Sequence, residues 1–213
     1  PPPPEQSSQS TPSPIHQQQE FVLRQGFWEP SLSYLVQRIL PLCNKYVSIS
    51  SFIEERDSTF EYGLVSQAFV ASIKALMQEY LIFVAQLESL FHRQSLTLQK
   101  IWLHVQQPLR TLTTIETLTR EIGESRSKGG KLLTIIHRLS LIMAGDAETQ
   151  KLFQFMLEKS CVPFFTMVNN WVHGGQLDDT FGEFMICCNS SGSTTGGIGR
   201  ISSGSGGHII GSE

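Results

Sequence analysis

One stripe of apolar residues constrains this chain more than anything else in it. Val65, Phe69, Ile73, Leu76, Tyr80, Phe83, Leu87 and Leu90 recur at intervals of three and four, the period at which an α-helix returns to the same face. The stripe predicts a helix reaching about Gln94, roughly 30 residues and about 45 Å long at 1.5 Å per residue. Such a helix must bury its apolar face against other helices, and no alternating run bounded by turn residues offers a sheet instead. The expected fold class is therefore all-α: an elongated bundle or a stack of helical hairpins, with side-chain ridges set into grooves. No repeat of fixed period points to a regular solenoid.

The other segments follow from caps and breakers. Pro30 suits a helix entry and Ser31 a cap. A first helix is expected from there to about Asn44, with Leu32, Leu35, Val36, Ile39 and Cys43 on one face and Pro41 kinking or shortening it. A short helix follows at about Ile49–Arg56. Ser58 stands three residues before Glu61, the S-x-x-E capping pattern that would open the long helix. A further helix is expected over about Leu96–Ile122, bent or broken at Gln107–Pro108. Gly123–Lys131 reads as a loop, Lys131 to about Met143 as a helix, and Ala147 to about His173 as a long helix distorted at Pro163 and stopped by Gly174–Gly175.

The ends differ in composition. Residues 1–26 are rich in Pro, Ser and Gln, and 187–213 in Gly and Ser, too poor in apolar side chains to offset the entropy of ordering. They are expected to be a disordered lead-in and a flexible tail around one helical domain at 27–186. A net charge of −3 gives no field for holding nucleic acid. The start lacks a basic and apolar leader, and the unbroken apolar runs, such as Tyr80–Ala85, are too short for a bilayer, so no membrane partner is expected. Cys43, Cys161, Cys187 and Cys188 form neither a disulfide framework nor zinc-ligand spacing, which fits a reducing cytoplasm.

The candidate sites are weak. Glu54, Glu55, Asp57 and Glu61 crowd between two apolar runs, but nothing forces their pKa values apart, and solvated turn charges is the reading adopted. SKGGK resembles a phosphate-binding loop only in part: Ser125 stands where its first glycine should be, and Leu132 follows Gly130–Lys131. Gly196–Gly199 lies in the tail without the dinucleotide-binding spacing. His92, His104, His137 and His173 form no H-x-x-x-H pair. Trp28, Trp102, Trp171, Phe164 and Phe165 are core residues or partner anchors, a choice left open. No catalytic, cofactor-binding or metal-ligating residue is assigned, no cofactor is expected, the chain is not read as an enzyme, and its partner interface stays unassigned.

FIEERDSTFEYGLVSQAF, LMQEYLIFVAQLESLFHRQSLTLQKIWLHVQQPLRTL and FFTMVNNWVHGGQLDDTFGEFMI together carry a resemblance. In the order of FEYG, LxxQLE, the tryptophan helix before QP, and W-x-x-x-G ahead of D-x-x-x-E-F-M, the region from Ser31 to Ile186 resembles the amino-terminal part of the gamma-tubulin complex proteins. The resemblance implies a helical scaffold that makes lateral contacts with sister subunits of the component 3 type, in microtubule nucleation at the centrosome or spindle pole. After GEFMI the sequence leaves the family's pattern. The gamma-tubulin-binding half is then expected to be missing, and gamma-tubulin to be reached only indirectly. The alternative is a helical adaptor or truncated regulatory variant that neither assembles nor binds gamma-tubulin.

Overall fold

The computed structural model describes residues 20–186 apart from 25, 27, 28, 59–61 and 126, and Ser58 in its backbone alone. The lead-in up to residue 19 and the tail from 187, with Trp28, Glu61, Cys187 and Cys188, lie outside the described residues. Five helices make up the described fold: α1 (Pro30–Ser58), α2 (Leu64–His92), α3 (Leu98–Ser125), α4 (Gly130–Ile142) and α5 (Ala147–Gly174). The chain is all-α, as the periodicity predicts.

Two expected boundaries are corrected. The separate helices at 31–44 and 49–56 are one 29-residue helix, α1, with Pro41 inside it. Leu42, Ile49 and Arg56 are buried at intervals of seven, and only an unbroken helix brings them to one face. That face is rotated from the expected one, for Leu32 and Cys43 are exposed. Likewise α3 runs through Pro108 without interruption and includes Gly123–Ser125, which shortens the expected loop. A proline removes one N–H from the ladder; burial of Val105, Leu112, Ile115, Leu118 and Ile122 along one face of α3 outweighs it, at about 1.5–3 kcal/mol for each large apolar side chain.

The helices run alternately. Tyr46 meets Tyr80 at a ring separation of 5.6 Å, while Arg56 meets Ser66 at 2.8 Å, so α1 and α2 are antiparallel. Arg38 lies over Trp102, Lys45 pairs with Glu116, and Arg56 reaches Ile122, so α3 runs parallel to α1. Residues near the start of α5, Leu152 and Phe155, share a cleft with Leu76 and Glu79, whereas the chain beyond α5 returns to Val65. That order makes α5 antiparallel to α2. The core of Val65, Phe69, Ile73, Ile115, Ile122, Leu132, Ile136 and Met156 sits where α2, α3, α4 and α5 converge.

The expectation that no segment could cross a bilayer does not hold for α2. By length and composition alone it is long and apolar enough, with a mean hydropathy of 1.5 over its most apolar window. Its first half, from Val65 to Met77, supplies core side chains.

Candidate interaction surface

The carboxylate cluster resolves into separate local roles. Glu54 and Glu55 are exposed on the last turns of α1, and Asp57 pairs with Lys74 at 2.8 Å across an exposed gap, a class of contact worth about 1 kcal/mol or less. The residue among them that matters to the fold is basic. Arg56 is 4% exposed. It donates to Ser66 Oγ at 2.8 Å and to the Ile122 carbonyl at 3.3 Å, and its guanidinium lies 4.8 Å from the Phe52 ring and 4.4 Å from that of Tyr62. Burial lowers its pKa from the usual arginine value, with Tyr62 and Glu55 opposing the shift. Sequence reading passed over this residue, although its place seven beyond Ile49 was the available signal.

The capping pattern is replaced by a tertiary one. Ser58 ends α1 and so cannot cap α2, which starts after Gly63 without a side-chain cap from it. The Glu183 carboxylate, 118 residues away in sequence, accepts the Val65 N–H at 3.0 Å. Its other oxygen accepts the Gly129 N–H at 3.1 Å. The glycine loop SKGGK therefore does offer a backbone N–H to an oxyanion, and the oxyanion is the chain's own. Gly129 has φ +54° and Gly63 lies against the carboxylate, so a Cβ on either would collide with Glu183. Asp179 in turn accepts the N–H groups of Glu183 and Phe184 at 3.0 and 2.8 Å. The motif W-x-x-x-G also acquires a physical basis: Gly175 adopts the left-handed conformation at φ +60° and donates to the Trp171 carbonyl, closing α5.

The histidines are not brought together: His92 faces Glu88 at 3.7 Å, and His104, His137 and His173 are exposed. Among the described residues no three His, Cys, Asp or Glu side chains gather where one metal ion could bind. Cys161 is half-buried, and burial pushes its thiol pKa up. Trp102 stacks on Arg38 at 4.7 Å, while Trp171 is exposed on one side and rests on Phe184. A groove of about 630 Å³ between α1 and α3 is lined by Asn44, Ser48, Ser51, Phe52, Thr119 and Arg120. Asn44 holds the backbone of Phe21 at its edge, accepting its N–H at 2.8 Å.

Among the described residues, three groups of exposed apolar side chains stand out. The second half of α2 exposes Leu81, Ile82, Val84 and Phe91, with Phe91 63% exposed; the α4–α5 corner exposes Leu141, Ile142 and Met143; and α5 exposes Val162, Phe165 and Val172 along its outer side. Leu157 and Cys161 border the last of these as a shallow groove. Apolar side chains grouped on rigid helices mark contact surfaces.

Polar clusters fasten the fold internally, apolar residues are left on the outside, and together they define a helical bundle module. Comparison with known proteins fixes which. The family model described as gamma tubulin complex component N-terminal matches residues 5–200. The chain is 36% identical to gamma-tubulin complex component 2 of Mus musculus over 73% of its own length and 17% of that protein's. It is 24% identical to spindle pole body component alp4 of Schizosaccharomyces pombe, over 78% of this chain and 26% of that one. With gamma-tubulin complex component 3 of Homo sapiens it shares 26% identity over 65% of its length and 16% of the relative's. The chain belongs to the gamma-tubulin complex component family. It spans about a quarter or less of the length of these relatives.

Proposed function

We propose that this chain is a structural, non-enzymatic region of a gamma-tubulin complex subunit, making lateral contacts with sister subunits of the component 3 type during microtubule nucleation at the centrosome. The observation that carries the reading is the family match over residues 5–200 on a bundle whose apolar surface is set out on long helices. Similarity to components 2 and 3 alike supports sister subunits that share this helical region, so a lateral contact would join like modules at a fixed spacing. In this reading the working contacts are with protein rather than with nucleic acid or membrane, and gamma-tubulin is reached only through the assembled neighbours.

Sedimentation of the purified chain tests this, alone and mixed separately with gamma-tubulin and with the amino-terminal region of component 3. A heavier species is expected with component 3 and none with gamma-tubulin. No shift with component 3 at micromolar concentration would sink the lateral reading and favour the adaptor.

A further inference from the structure

Residues 176–186 follow α5 without forming a helix, and most of them are exposed. Glu183 and Phe184 are its two buried side chains. Glu183, 8% exposed, places one carboxylate oxygen on the Val65 N–H at the start of α2 and the other on the Gly129 N–H before α4. The Phe184 ring lies 5.9 Å from Phe164 and 6.1 Å from Trp171. Asp179 shapes the segment from within through its two bonds to the Glu183 and Phe184 N–H groups. The helices themselves are joined by the core, in which Leu177, Phe184 and Ile186 are the contributions from this segment.

We propose that residues 176–186 form a strap that opens and closes as a unit distinct from the helical bundle, with the Glu183 carboxylate as its clasp. Closed, the strap caps α2 and covers the Phe164 and Trp171 rings. Open, it uncovers those rings and frees the first-turn N–H of Val65, while the burial that joins α2, α3 and α5 stays in place. The clasp is a built feature, since Gly63 and Gly129 both leave free the volume that Glu183 fills. Segments with few buried contacts open locally at lower free energy than a packed core. The inference is independent of the lateral-contact reading.

Amide hydrogen exchange on the whole chain tests it, because the Val65 and Gly129 N–H groups have the Glu183 carboxylate as acceptor and report the clasp directly. In the unaltered chain Val65 and Gly129 are expected to share one level of protection, below that of Ile73 and Ile115, while the Glu183 and Phe184 N–H groups stay on Asp179 within the strap. Glu183→Gln removes the charge. Gly63→Ala instead places a Cβ 2.0 Å from the Glu183 Cδ at a backbone φ of −71° that alanine accepts. Each change should speed exchange at Val65 and Gly129 by about 10- to 100-fold, the factor set by charge-assisted hydrogen bonds. Ile73 and Ile115 should be unaffected, and the double variant no faster than either single one. Exchange of Val65 and Gly129 only at the core rate in the unaltered chain would overturn the proposal. So would effects in the two variants that add, or that extend equally to Ile115.

Discussion

At Arg56 and Tyr80 single side chains carry chemistry that their neighbours in sequence do not suggest. Arg56 works as a tie among three helices, its guanidinium between two rings and its N–H groups on Ser66 and the Ile122 carbonyl. A lysine would lose the planar stacking and the second donor direction. Tyr80 is packed between Tyr46 and Phe83. Burial first, and then Cys43 and Tyr46, pushes its phenol from the ordinary value of 10.0 up to about 12. The unfolded chain releases this proton near the ordinary value while the folded chain still holds it. The stability it contributes is therefore complete below the unfolded pKa and is lost as pH rises through the folded one. Near-ultraviolet absorbance titration should show one phenol ionising last, and Tyr80→Phe should remove that step and flatten the alkaline fall in stability. An unchanged titration curve in the variant would exclude Tyr80 as the late group.

Among the elements, the prolines show how far local rules reach. Pro41 was expected to end or kink a helix, yet α1 carries it in its interior with the Pro41 side chain exposed. It leaves the Gln37 carbonyl without its ladder donor, a local loss that burial of Leu42 and Ile49 further round the helix overrides. Pro41→Ala should therefore stabilise the chain by about 1–3 kcal/mol, since it restores a donor and loses no packing. Urea denaturation reads this directly, and a destabilised variant would mean that Pro41 has a packing role. Where breakers agreed with the tertiary fold the boundaries were legible. Asp146 accepts the Glu148 and Thr149 N–H groups, opening α5 where Gly145–Asp146 suggested. The Thr149 hydroxyl, foremost, and these N–H groups hold its carboxyl below the usual range. The start of α2 was not legible, because its cap is a carboxylate more than a hundred residues away.

For the whole molecule, the question is which exposed apolar residues meet a partner. Ile82 and Phe165, 60% and 62% exposed, lie on the second half of α2 and the outer side of α5. Ile82→Glu and Phe165→Glu should each leave stability within about 0.5 kcal/mol, as surface changes do. Each should weaken association with the component 3 region if its face is part of the lateral contact, which sedimentation of the two variants checks. Association unchanged in both would remove these faces from the proposed interface.

The sequence alone determined the fold class, the helical stretches in outline and the family, because helical periodicity is a property of neighbours three and four apart, and family motifs are local strings. Only the tertiary structure decided that α1 and α3 are continuous, that an arginine inside an acidic run is buried, and that Glu183 caps α2. These depend on groups brought together from 10 to 118 residues apart. At such separations the energy of burial, rather than local propensity, selects the partner.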